Sequence, residues 1–212
     1  MLRRFDLPDT LALFPLEGAV LMPRGRLPLQ IFEPRYLQLI EDVLKTSQRL
    51  IGMVQPQEGG LEGLASIGTA GRISAFSEMD DGRYMITLRA VSRFRLTEVR
   101  PGFTPYLQGD VDWSDFAQDR SQQPEIDADF DRKSLLERLR RFMEAHELST
   151  DWEAAETVEN ETLVNSLAML LPLGNEEKQA LLEATTLSKR RELLDGLIEY
   201  ALRSGDHEEI IQ

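Results

Sequence analysis

Between residues 84 and 96 the chain alternates. Tyr84, Ile86, Leu88, Ala90, Phe94 and Leu96 fall on one parity; Met85, Thr87, Arg89, Val91, Arg93 and Arg95 fall on the other. A period of two is what a β-strand with one buried face requires. A strand this long must bend or bulge, so it is predicted to serve two sides of a small barrel. The turn signal Asp80-Asp81-Gly82 sets it against a preceding strand over residues 69–76.

The rest of the first half reads as extended pieces around a single helix. Residues 11–16, 19–23, 27–32 and 50–54 are short apolar runs. Pro15, Pro23 and Pro28 suit edge or loop-like extended chain rather than a central strand. A helix opens at Pro34, where a missing N–H is harmless, and Tyr36, Leu37, Ile40, Val43 and Leu44 recur at helical spacing. Residues 112–129 are polar, acidic and interrupted by Pro124, as a connection would be, with Trp113 and Phe116 tacking it onto a lobe. Beyond it the pattern turns helical. Leu135, Leu136, Leu139, Phe142 and Met143 form one stripe; Leu163, Val164, Leu167, Leu170 and Leu171 form a second, stopped by Pro172 and Gly174. Asn175 is expected to cap a short helix through Leu182, and Ser188 to open a last one bearing Leu193, Leu194, Leu197, Ile198, Ala201 and Leu202. The fold class is therefore α+β: a β-barrel lobe with one helix in residues 1–120, then a helical bundle in residues 121–212.

The two parts differ in charge. Residues 1–120 carry 14 Lys/Arg against 16 Asp/Glu, residues 121–212 carry 10 against 21, and the whole chain stands at −13. Such acidity repels nucleic acid and anionic membrane, whose capture rests on neutralising phosphate; its ordinary role is solubility. No apolar run approaches the roughly 18 residues of a membrane span. The early Arg3-Arg4 pair is not followed by the apolar core of a secretory signal. With no cysteine the chain has neither disulfides nor thiolate chemistry, and a cytoplasmic location is expected.

Catalytic constellations are missing from the sequence. No G-x-x-x-x-G-K-[ST] loop cradles nucleotide phosphates. Ser188 and Lys189 are neighbours on a predicted helix, where adjacent side chains diverge by about 100 degrees and cannot form a nucleophile–base pair. His146 and His207 lack a second ligand at metal-binding spacing. No catalytic residue, metal or cofactor is expected.

Several segments are more specific than their periodicity. Leu13-Phe14-Pro15-Leu16, then Pro23, then Leu27-Pro28-Leu29-Gln30-Ile31-Phe32-Glu33-Pro34-Arg35-Tyr36, resemble the opening of the N-terminal domain of Lon proteases. Gly68-Thr69-Ala70-Gly71-Arg72-Ile73 resembles that family's next segment. Gly82-Arg83-Tyr84 and Val91-Ser92-Arg93-Phe94 resemble its central hairpin. Leu171-Pro172-Leu173, followed by Lys178-Gln179-Ala180-Leu181-Leu182-Glu183, resembles its helical end. The matches run in order over nearly the whole chain. The resemblance implies a PUA-like β pseudo-barrel followed by a helical lobe, a domain that cereblon shares as a substrate-receptor component. It also implies a role in engaging protein substrates and assembling oligomers, here expected to stand alone, without the ATPase and protease parts. In one departure, Lon often has glycine just ahead of the Ser92-Arg93 pair, where this chain has Ala90 and Val91. The local turn is therefore less permissive.

The function this implies is a non-catalytic protein- or peptide-binding module, an adaptor in protein quality control. It would take up an unfolded or specific polypeptide through apolar surface and strand addition. The candidate contacts are Phe14, Leu16, Met22, Leu29, Phe32, Met53 and Met85, with Glu33 and Arg35 as a polar anchor beside a groove. Each also has a structural reading: core for the apolar residues, a helix-start carboxylate for Glu33, a loop tie for Arg35. The alternative function is an RNA-binding module using Arg89, Arg93 and Arg95. Those arginines read equally as a solvated face or as partners of the acidic helical part. The oligomeric state is left open.

Overall fold

The computed structural model describes residues 7–100 and 102–208, with side chains as far as Arg203. The N-terminal Arg3-Arg4 pair and the His207 side chain lie outside the described residues. The strands are β1 (Thr10–Pro15), β2 (Arg26–Ile31), β3 (Leu50–Val54), β4 (Pro56–Leu61), β5 (Ile67–Glu78), β6 (Tyr84–Arg100) and β7 (Gln108–Asp112). The helices are α1 (Pro34–Leu44), α2 (Arg132–Ala145), α3 (Trp152–Thr157), α4 (Asn160–Leu170), α5 (Asn175–Glu183) and α6 (Leu187–Glu208). A 3-10 turn spans Ser114–Arg120. Among the described residues, no helix is long and apolar enough to cross a membrane.

Five strands close on themselves. β6 pairs with β5, β5 with β3, β3 with β1, β1 with β7, and β7 again with β6; only β1–β3 is parallel. β2 joins outside this ring, on the first half of β6. The long strand is thus shared, as its length predicts. Its first half is the middle of a β2–β6–β5 ribbon, and its second half is a stave of the barrel.

A single residue separates the two halves. Ala70 pairs with Ser92 but Gly71 pairs with Ala90, which leaves Val91 as an extra residue on β6. One extra residue sends every later side chain to the other face. Ahead of the bulge, Ile86 and Leu88 pack with Phe14, Tyr36, Ile40 and Ile73 beneath α1. Past it, Phe94 and Leu96 join Leu11, Leu13, Ala70 and Val111 inside the barrel. The unbroken parity of the sequence therefore serves two cores on opposite faces of the sheet. The bulge forms without glycine, and neither Ala90 nor Val91 needs a positive φ. The barrel interior is filled by these side chains: a Cβ on Gly109 would lie 2.5 Å from Leu96 Cδ1 and 2.8 Å from Leu13 Cδ1.

The helices share a third core, built from Leu135, Leu139, Phe142, Leu163, Val164, Leu181, Leu194 and Ile198. Val20, Met22 and Ile67 project into it from the barrel side. Residues 19–23, expected as an edge strand or loop-like extended chain, join no ladder and fit the second description. Their alternation has another cause: Val20 and Met22 face the helices while Leu21 faces the core beneath α1. Two caps also differ from expectation. Thr186 caps α6, its Oγ1 accepting from Lys189 N–H at 3.3 Å, while the Ser188 hydroxyl bonds Glu192. Gly174 occupies the cap position of α5, with Glu177 accepting its N–H at 2.7 Å, and Asn175 instead reaches Glu17. Of the two aromatics expected to tack down the connection, Phe116 is buried among the helices, and Trp113 donates to Pro8 O at 3.1 Å.

Candidate polypeptide-binding surface

The bulge splits the three arginines that parity had grouped. Arg89 lies before it and is exposed. Arg93 lies after it and is 0% exposed. Its guanidinium forks onto Asp119, Nε to Oδ2 and Nη2 to Oδ1, both at 2.9 Å. Its Nη1 donates to Leu182 O at 2.8 Å and Ala184 O at 2.6 Å, and its plane lies 4.2 Å from the centre of the Phe116 ring. Arg95 pairs with Asp115 at 2.8 Å. This corrects the expectation of a solvent-facing Arg89–Arg93–Arg95 stripe. Arg93 clasps β6 to the 3-10 turn and to the end of α5; its carboxylate partner lies in residues 1–120, and the helical part contributes only the Leu182 and Ala184 carbonyls.

Further polar groups line the same seam. Buried Arg190 donates to Asn165 Oδ1 at 2.9 Å and to the Leu181 and Ala184 carbonyls. Burial first, and the Arg93 charge second, push its pKa down to about 10. Asn165 donates in turn to Pro23 O at 2.9 Å. Gln55 donates to Gln179 Oε1 and Asn175 O, and Gln179 to Ile67 O, each at 3.1 Å. Buried polar groups need such partners; the bonds of Asn165, Gln55 and Gln179 cross the barrel–helix boundary, and those of Arg190 tie the helices together behind it. The seam is therefore a fixed joint.

The apolar candidates divide by burial. Phe14, Met22 and Met53 are core side chains, 6%, 0% and 2% exposed, so the structure corrects their reading as contact residues. Leu16 and Leu29 are half-buried against the core beneath α1. Phe32 is 64% exposed and Met85 40%. Register brings these two to one end of the ribbon: Gln30 pairs with Met85, and Phe32 follows two residues on. Phe76, which sequence reasoning placed on a strand without singling it out, is a second exposed ring at that end, but on the opposite face from Met85. It pairs with Ile86 and meets the Tyr84 ring edge-on at 5.0 Å. Beside Phe32, Arg35 Nε donates to Glu33 at 2.9 Å, and its guanidinium lies 4.5 Å from the centre of the Tyr36 ring.

The outer edge of β2 is a poor template for an added strand. Ala90 N–H donates to Gly25 O, so Leu27, Leu29 and Ile31 also turn their backbone groups to β6, and Arg26, Pro28 and Gln30 turn theirs outward. Pro28 has no N–H to offer at the centre of that edge.

Two depressions complete the surface. One, of about 110 Å³, lies between residues 23–26 and α4 and is lined by Arg24, Gly25, Met169 and Leu170 among others. Arg24 holds a φ of 61°, uncommon for a residue with a Cβ, and is fixed there by Glu161 at 2.8 Å and by the Ser121 and Gln123 carbonyls. The other, of about 290 Å³, is lined by Thr10, Asp42, Tyr106 and Gln108 among others. The Tyr106 hydroxyl donates to Asp42 at 3.1 Å, and burial followed by that bond pushes its pKa up to about 12. Hydrogen bonds from Lys45 first, then Gln38 and Tyr106, hold the Asp42 carboxyl below its usual value. The first falls well below the roughly 300–1,000 Å³ of typical ligand pockets, and the second lies at the lower edge of that range. Among the described residues no group of three His, Cys, Asp or Glu could hold a metal ion.

The family model for the "ATP-dependent protease La (LON) substrate-binding domain" matches residues 10–199. In sequence the chain is similar to Lon protease 2 of Myxococcus xanthus, 29% identical over 205 residues that cover 92% of this chain and 24% of that protein. It is also similar to Lon protease 2 of Syntrophobacter fumaroxidans, 27% identical over 218 residues that cover 100% and 27%. The chain thus spans about a quarter of the length of these curated relatives. In structure it is similar to a crystal structure of a Lon N-terminal domain protein from Xanthomonas campestris, with a TM-score of 0.64 and 27% identity over 88% of this chain and 97% of that one. The N-terminal domain of the Mycobacterium avium complex Lon protease shares the fold, with a TM-score of 0.62 and 16% identity over 90% and 98%.

Proposed function

The chain belongs to the Lon substrate-binding domain family, and on that premise we propose that it is a non-catalytic module that holds polypeptide segments, an adaptor in cytoplasmic protein quality control. The observation that carries this reading is the family match over residues 10–199. The contact region is the end of the ribbon, where Phe32 and Met85 are exposed near the Glu33–Arg35 pair. Exposed apolar side chains grouped on a polar surface suit an unfolded segment. Capture is by side-chain contact rather than strand addition, because Pro28 blunts the β2 edge. RNA binding is the weaker reading: Arg93 and Arg95 already have carboxylate partners, and the net charge opposes it.

The test is a fluorescence anisotropy titration with a labelled, permanently unfolded polypeptide. The double variant Phe32→Ser/Met85→Ser is expected to bind at least about tenfold more weakly, or about 1.4 kcal/mol, with an unchanged circular dichroism spectrum. Failure of the unaltered protein to bind any member of an unstructured peptide array overturns the reading.

A further inference from the structure

The ribbon carries a row of arginines that runs across the strands rather than along one. Arg26 of β2 pairs directly with Arg89 of β6, and Arg89 pairs directly with Arg72 of β5. Directly opposed residues share a face. The neighbouring row, Leu27, Leu88 and Ile73, packs into the core beneath α1, so the arginines lie on the opposite face. Two further rows complete that face: Pro28, Thr87 and Ala75, then Gln30, Met85 and Ser77. None of these positions is acidic, in a chain with 37 Asp and Glu. Apart from Thr87 and Arg72, which are partly buried, all are exposed.

Like charges directly opposed destabilise a sheet. Several other arginines are matched by a carboxylate: Arg24 by Glu161, Arg95 by Asp115, Arg100 by Asp110 and Arg191 by Asp127. Among the described residues Arg26 and Arg89 make no ion pair.

We propose that Arg26 and Arg89 on this face are the docking site for a short acidic polypeptide segment, whose Asp and Glu side chains supply the carboxylates that these two arginines lack. The proposal rests on the polypeptide-binding function above and adds the chemical class of the bound segment. A guanidinium presents a planar fork that matches a carboxylate bidentately. Strands about 4.8 Å apart put the outer arginine backbones about 10 Å from each other, so the row spans a few residues of a peptide. The whole face is about 10 Å by about 14 Å. That is far below the roughly 800 Å² per partner of a stable dimer, which argues against a second copy as the occupant. A nucleic acid offers the same bidentate chemistry, but its phosphates continue past the row onto a protein at −13. A short acidic stretch in an otherwise neutral segment ends where the arginines end, with Pro28, Thr87 and Met85 alongside it.

The test titrates the full chain with a labelled short peptide holding a central run of glutamates, and with the same peptide carrying glutamines instead. At low salt the glutamate peptide is expected to bind at least about tenfold tighter. Arg26→Gln/Arg89→Gln is expected to abolish that preference while leaving the glutamine peptide's affinity in place and the thermal unfolding midpoint no lower than the parent's. Arg26→Lys/Arg89→Lys, which keeps the charge and loses the fork, falls between them and keeps the test readable if the glutamine pair does not fold. Equal binding of both peptides to the unaltered protein overturns the acidic segment and leaves polypeptide binding standing. Loss of all peptide binding, the unfolded polypeptide included, overturns the underlying function as well. A single-stranded oligonucleotide that binds as tightly as the glutamate peptide, and is released by the same substitutions, overturns the peptide assignment in favour of a general polyanion site.

Discussion

The two halves of β6 carry the same kind of residue to opposite ends. Arg89 and Arg93 stand four positions apart on one strand and on one sequence parity. Arg89 is exposed on the ribbon, opposite two other arginines. Arg93 is fully buried, with a carboxylate and two carbonyls around its guanidinium. The difference comes from the extra residue at Val91 and from what each face then meets. Ahead of the bulge the face bearing Arg89 is left uncovered; past it the face bearing Arg93 meets the 3-10 turn and the end of α5. One half of the strand is a joint, and the other is a surface.

The joint half should break hardest. Arg93→Ala leaves Asp119, 3% exposed, without its cation. Breaking a buried pair from one side costs about 3–5 kcal/mol, because the remaining charge stays buried and unmatched. Urea unfolding followed by circular dichroism measures it. A loss below about 1 kcal/mol would mean that the seam relaxes freely and that Arg93 is held no more firmly than a surface arginine.

A second substitution tests whether the joint is a network or a single clasp. Asn165→Ala removes the donor to Pro23 O and the Oδ1 that accepts from Arg190, while Arg190 keeps the Leu181 and Ala184 carbonyls. The expected loss is about 1–3 kcal/mol. Faster amide exchange in the first turn of α6, compared with the unaltered protein, is the local readout. Unchanged exchange there would remove Asn165 and Arg190 from the joint and leave it to Arg93–Asp119 and the Gln55–Gln179 pair.

What could be read from the sequence follows the same division. Alternation over residues 84–96, the Pro34 helix start and the helical stripes each reflect local burial along one element, and β6, α1, α2, α4 and α6 all form. Local pattern also showed that β6 must bend. It could not show where, because Val91 is as good a strand residue as its neighbours and no glycine marks the bulge. Nor could it show that Arg93 is buried. Its partner Asp119 lies in a polar stretch that reads as a connection, and pairing across that distance is a tertiary event. The same applies to the ribbon surface. Phe32 and Met85 are in different elements, and Arg26, Arg89 and Arg72 are in three, so only register assembles them. Phe14, Met22 and Met53 carry the same apolar chemistry as Phe32, and only packing separates core from contact.

The surface half should respond least, and in the opposite direction. Arg89→Thr removes the central charge of the row and puts a β-branched residue on the strand. The expected gain is about 0.2–1 kcal/mol, the range for relieving a like-charge cross-strand pair. Salt separates the two causes. Screening shortens the Debye length from about 10 Å at 0.1 M to about 3 Å at 1 M, so a gain from relieved repulsion fades as salt is added, whereas a gain from strand propensity persists. Thermal unfolding of both proteins at the two salt concentrations reads this directly. A variant less stable than the parent would mean that the Arg89 stem packs on the sheet, and that the ribbon face is held by its own side chains rather than left open for a partner.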